Sequence, residues 1–222
     1  ESLPADKRRA FEWKRCIPGV SLYNLKRYPA LIGLVVALFL VYLGSHAVQS
    51  NWSFFTIERF KWDSWMIGIS LTVVGVLVGG VQAGLTRVVN PRLGNEKSIY
   101  IGLALYAVGM LLFSFATQSW MMFAFLVPYC LGGICGPALQ AVMAGYVPNN
   151  EQGELQGSLT AMMSVTTIFG PLLMTNVFSY FTSKNAPFYY PGSAFLVGSV
   201  FMIASAVIAY YALHGKLKME KA

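Results

Sequence analysis

Charged positions fall in short clusters along this chain, and six long apolar runs separate them. The runs extend from about Pro29 to Ser53, Trp65 to Val89, Ile99 to Ala116, Trp120 to Val147, Leu155 to Phe181 and Ser193 to Leu213. As helices rising about 1.5 Å per residue, each is long enough to cross a hydrocarbon layer of about 30 Å. Lipid offers no partner to an unpaired amide, so the backbone of such a run must close its hydrogen bonds within itself, as a helix does. The connections are short: Phe60 to Asp63, Asn90 to Asn95, Thr117 to Ser119, Pro148 to Glu154 and Ser183 to Pro191. Connections of that length make sequential helices antiparallel. The pattern therefore predicts an all-α membrane protein, a six-transmembrane-helix bundle over residues 29–214, with a linker at 1–28 and a tail at 215–222. The opening Glu1-Ser2-Leu3-Pro4, followed by a basic stretch, reads as the start of an interdomain linker.

Polar residues within the runs sort the helices. In the first run Tyr42, Ser45, His46, Gln49 and Trp52 recur at the spacing of one helical face. The fourth carries a stripe of Tyr129, Gly132, Gly133, Gly136, Gln140 and Met143, and the fifth a stripe of Thr160, Ser164, Thr167, Pro171 and Thr175. The second holds Ser70, Thr72 and Gln82. The third has only Tyr100, Tyr106 and Ser114, and the sixth only small hydroxyls and Tyr210-Tyr211. Runs one, two, four and five are thus expected to line a polar path, and runs three and six to face lipid. Ser and Thr also bond helix to helix, which is the competing use of any one hydroxyl. Large polar groups are costlier to keep in a membrane, so His46, Gln49 and Gln140 carry more weight. Gly75-xxx-Gly79, Gly80-xxx-Gly84 and Gly132-xxx-Gly136 predict close helix approach. Gly136-Pro137 and Gly170-Pro171 predict bends.

Composition sharpens the class. The chain is 56% hydrophobic and 11% charged, against about 25% charged in soluble domains. A net charge of +7 would suggest nucleic acid as a partner of a soluble protein. The basic residues instead flank apolar runs, so no nucleic-acid partner is expected. Thirteen of them fall on the side of the two termini and three on the other, so both termini are expected in the cytoplasm. Cys130 and Cys135 are five residues apart, off a common helical face. Those two and Cys16 read as packing residues or free thiols. All nine Asp and Glu lie at or beyond the run ends, which leaves His46 as the titratable group near the core. Gly-x-Ser-x-Gly and phosphate-binding glycine loops are missing, and two histidines build no zinc site. No enzyme, cofactor or metal is expected.

Several stretches together resemble a known family. Phe55-Thr56-Ile57-Glu58-Arg59-Phe60-x-Trp62 precedes Ser64-x-x-x-Gly68-x-Ser70-Leu71. Pro137-Ala138-Leu139-Gln140, Gln152-Gly153-x-Leu155-Gln156-Gly157 and Gly170-Pro171-Leu172-Leu173 follow, and Phe11-x-Trp13-Lys14-Arg15 lies in the opening linker. Over nearly its whole length the chain resembles the C-terminal half, helices seven to twelve, of the major facilitator superfamily, in its tetracycline/proton antiporter group. The resemblance implies half of a twelve-helix fold, drug efflux by alternating access against inward proton flow, and a bacterial inner-membrane location. It implies as partners an N-terminal six-helix half (in the same or a separate chain), a small-molecule drug, protons and the lipid bilayer. It also implies that the main proton-coupling acids belong to the other half. The loop from Gly84 to Lys97 departs from the family pattern, with Asn90-Pro91 where an acid precedes basic residues.

The expected cavity residues are Tyr42, His46, Gln49, Trp52, Gln140, Met143, Ser164, Thr167 and Phe169, the aromatic and Met groups giving adaptable apolar contact. Arg92 belongs to the inner loop. Glu58, Arg59 and Asp63 are candidates for outer-gate pairs, against their alternative as solvated loop charges. Two other classes compete: a self-assembling six-helix channel or scaffold, which predicts symmetric homo-oligomers, and a non-transporting sensor descended from a transporter, which predicts binding without flux.

Overall fold

In a computed structural model of the chain the described residues are 29–219, with side chains over 31–214. The expected linker at 1–28, Cys16 within it, and the charged side chains of the tail lie outside them.

Six helices occupy the predicted runs. The first is Pro29–Phe60, and the second Ser64–Leu93 is assembled from α-helices Ser64–Gly80 and Thr86–Leu93 around a π-helical turn at Val81–Leu85. The third is Asn95–Ser114. The fourth, Ser119–Gly145, contains a 3₁₀ turn at Gly132–Ile134. The fifth is Gln152–Thr182 and the sixth Ser193–Met219. The last helix thus continues past the expected start of the tail at 215. Two helices run past their expected ends: the first continues beyond Ser53 to Phe60, and the second takes in Asn90 to Leu93, expected as a connection. Asp63 caps the second by accepting from the Met66 amide at 2.9 Å. Gly94, at φ 82°, sits between the second and third in a conformation that favours glycine.

The first span packs along the sixth and the fifth, the third along the sixth and the fourth, and the second against the fourth. Exchanging spans one to three for spans four to six maps this pairing onto itself. Spans one and four run in opposite directions, so the bundle is built from two inverted three-helix repeats.

The packing centre joins the first, third and sixth spans. Phe55, Phe113 and Phe195 are buried in edge-on and tilted contacts, with centroids 5.0 Å apart for Phe55–Phe195 and 5.7 Å for Phe113–Phe195. Two buried sixth-span hydroxyls fasten neighbouring backbones: Ser205 Oγ donates to the Ala37 carbonyl at 2.8 Å and Ser199 Oγ to that of Ala107 at 2.9 Å.

This corrects part of the helix sorting. The third and sixth spans do show apolar residues outward, among them Val108, Leu111, Val200 and Val207. Their opposite faces, however, hold the bundle together. The barest spans are the second, 11% buried, and the fifth, 22%, against 50% for the first. The glycine expectation changes too. Gly75, Gly79, Gly80, Gly84 and Gly136 have open space where a Cβ would stand, while Gly132 lies tight against Tyr106. Both described cysteines, Cys130 and Cys135, are free and buried, as expected.

Candidate substrate cavity

A cavity of about 700 Å³ lies between the first, second and fourth spans. Its polar wall includes Tyr42, Gln49, Trp52, Gln82, Tyr106 and Gln140, and Leu71, Val74 and Val78 supply an apolar side. Gln49, Gln82 and Pro137 are exposed, so the space opens to the surface of the bundle. The lining carries no charged residue.

Irregular backbone shapes this wall. Gln82 sits in the π turn of the second span and Gly133 in the 3₁₀ turn of the fourth, and both line the cavity. π turns recur at functional sites because they re-aim side chains relative to a straight helix. Pro137 has no N–H, so the Gly133 carbonyl lacks its usual intrahelical donor beside the cavity. The neighbouring Ile134 carbonyl accepts from Asn90 Nδ2 of the second span at 3.4 Å. Thr86 Oγ1 donates to the Val81 carbonyl at 2.9 Å and closes the π turn from the side.

Two polar contacts bridge helices across the cavity. Gln140 Nε2 donates to Tyr42 Oη at 3.2 Å, linking the fourth span to the first. Trp52 Nε1 donates to Ser70 Oγ at 2.9 Å, linking the first to the second. The Trp52 ring also meets Phe113 edge-on at 5.3 Å, so the indole is held on two sides. Gln49 is tied more loosely, through Ser45 Oγ at 3.4 Å.

Of the nine expected cavity residues, Tyr42, Gln49, Trp52 and Gln140 meet in this space. Met143 is fully buried in the core. His46 is buried between the first and fifth spans, so close to Gly170 that a methyl there would fall 2.2 Å from His46 Cδ2. Ser164, Thr167 and Phe169 lie on the exposed face of the fifth span. The hydroxyls of that face turn onto their own helix: Ser164 Oγ donates to the Thr160 carbonyl at 3.0 Å and Thr167 Oγ1 to that of Met163 at 2.9 Å. Among the described residues they bond no other helix of the bundle.

The charged candidates sit at the bundle ends. Glu58 and Arg59 occupy the last turn of the first helix rather than a loop. The Glu58 carboxylate accepts from the Tyr189 hydroxyl and meets Lys61 Nζ at 3.9 Å, while Asp63 serves as the helix cap. Arg92 is exposed in the last turn of the second span, near the opposite end.

Sequence reasoning missed Tyr106 as a lining residue, because the third run is otherwise apolar. The available signal was a single tyrosine in mid-run, with Gly132-Gly133 to receive it from the neighbouring helix.

The sequence profile of the Major Facilitator Superfamily matches residues 34–221. The chain is 36% identical over 186 residues to the class C tetracycline resistance protein of Escherichia coli, covering 83% of this chain and 46% of that protein. It is 35% identical over 146 residues to the class G protein of Vibrio anguillarum, covering 66% and 37%. A human relative, hippocampus abundant transcript-like protein 1, is 24% identical over 230 residues, covering 95% and 46%. Among solved structures, the human organic anion transporter MFSD10 (TETRAN) superposes with a TM-score of 0.78 at 20% identity, over 93% of this chain and 51% of that one. The chain therefore spans less than half the length of these sequence relatives. Six membrane-length helices in two inverted repeats agree with a profile that covers nearly the whole chain, and the chain belongs to the major facilitator superfamily.

Proposed function

We propose that this bundle is the C-terminal half of a proton-coupled exporter of tetracycline-like drugs, working by alternating access against an N-terminal six-helix half. The observation that carries the reading is the uncharged cavity between the first, second and fourth spans. Its aromatic rings offer flat apolar surface, and its amides and hydroxyls offer hydrogen bonds to a ligand with several oxygens. Similarity to tetracycline resistance proteins supports the same ligand class.

In this reading Tyr42, Gln49, Trp52 and Gln140 contact the drug. The bare faces of the second and fifth spans, with Ser164, Thr167 and Phe169, meet the other half or the water path between the halves. The fifth-span hydroxyls are already satisfied within their helix, so that face can change partners without stranding a buried donor. The proton-binding acids sit in the other half. The ends bearing Phe60 and Ser114 face outward, and both termini lie in the cytoplasm.

The test is equilibrium binding of tetracycline to the purified full-length protein, followed by tryptophan fluorescence. Saturable binding that weakens about tenfold in Gln140→Ala supports the reading. That loss corresponds to one well-made hydrogen bond and its apolar stem. Absence of saturable binding sinks it.

A further inference from the structure

The third span stands outside the cavity except at one residue. Tyr106 reaches the wall from that helix, and the backbone of the fourth span is cut away to admit it. A Cβ at Gly132 would lie 2.6 Å from Tyr106 Cγ and 2.8 Å from its Cδ1 and N, so any larger residue would collide with the root of the ring. A Cβ at Gly133 would lie 3.6 Å from Tyr106 Oη, which places the hydroxyl over Gly133, itself a lining residue. The Tyr129 ring backs Tyr106 at a centroid distance of 5.1 Å and fixes its pitch.

Two other donors of the wall are engaged. The Trp52 indole N–H is spent on Ser70, and Gln140 reaches Tyr42. Among the described residues the Tyr106 hydroxyl has no hydrogen-bond partner, and the residue is only partly buried. A phenol held by packing at its root and free at its tip is a preorganised donor, with little rotamer entropy left to lose on binding.

We propose that Tyr106 is a specificity-determining residue of the cavity, its hydroxyl donating to a carbonyl or enolate oxygen along the edge of a planar ligand. The inference rests on the exporter reading and names the group its substrate must present, an oxygen acceptor on a flat ring system. Ligands without that edge lose this contact and keep only the apolar wall.

The test is tetracycline transport by the full-length protein in inverted vesicles, comparing the parent with Tyr106→Phe. The substitution keeps the ring that fills the Gly132 slot and removes only the hydroxyl. The expected result is a KM raised about five- to tenfold, the worth of one neutral hydrogen bond, at unchanged Vmax and membrane abundance. A purely structural role leaves KM unchanged. Export by the parent with an unchanged KM in Tyr106→Phe overturns this inference alone. Neither binding nor export of tetracycline by the parent overturns it together with the exporter reading.

Discussion

At the residue scale, the side chains with the most informative surroundings pair with a neighbour across a helix boundary. Tyr42 and Gln140 come from spans one and four and meet at 3.2 Å. A double-mutant cycle with Tyr42→Phe and Gln140→Ala, read by thermal unfolding in detergent, is expected to give a coupling of about 0.6 kcal/mol, the mean for such bonds in membrane proteins. Additive effects would show that the contact is not formed. His46 presents a different case. It was expected in the cavity from its place on the stripe of the first span, yet it packs on Gly170. The face is wide, and periodicity places a residue only to within about a quarter turn of the helix. Gly170→Ala puts a methyl within 3.0 Å of His46 Cβ, Cγ and Cδ2, so ring rotation does not relieve it. The variant is expected to lose about 1–3 kcal/mol of stability, and Gly170→Ala with His46→Ala to recover most of the loss. Equal destabilisation of the single and double variants would contradict the packing.

At the scale of elements, the hydrophobic pattern was enough to place six helices, though not their ends, because the membrane demands long uncharged runs. It was not enough to say which face meets which neighbour. Each fifth-span hydroxyl reads more readily as helix glue than as cavity lining, and they satisfy their own backbone instead. The glue proved to be Ser199 and Ser205, on a helix set aside as apolar. A buried serine and a lipid-facing serine look alike in one sequence. Likewise the π turn at Val81–Leu85 leaves no composition signal, yet it places Gln82 in the cavity wall. The account predicts different surroundings for two exposed faces. In a variant without native cysteines, Ser164→Cys and Thr167→Cys are expected to react with a membrane-impermeant maleimide in at least one state of the transport cycle. Val200→Cys and Val207→Cys, on the outward apolar face of the sixth span, are expected to stay unlabelled. Equal labelling at all four positions would remove the distinction between water path and lipid.

At the scale of the whole molecule, the spans of the bundle are unequally covered. The first, third and sixth spans share the packing centre, and the second and fifth are the least covered. A six-helix body built from inverted repeats, with its cavity beside its least covered span, the second, suits rocking against a second body around a shared site. Among the described residues the charges sit at or near helix ends, so the proton-coupling acids of an antiporter would come from that second body. A channel or scaffold assembled from copies of this bundle would instead conduct or assemble without a drug and without a proton gradient. The measurement that separates these accounts most directly is tetracycline accumulation in inverted membrane vesicles containing the full-length protein, with an imposed inward-acid pH gradient. The account predicts saturable uptake above protein-free vesicles, abolished by a protonophore. Uptake indifferent to the protonophore, or none above the protein-free control, would contradict it.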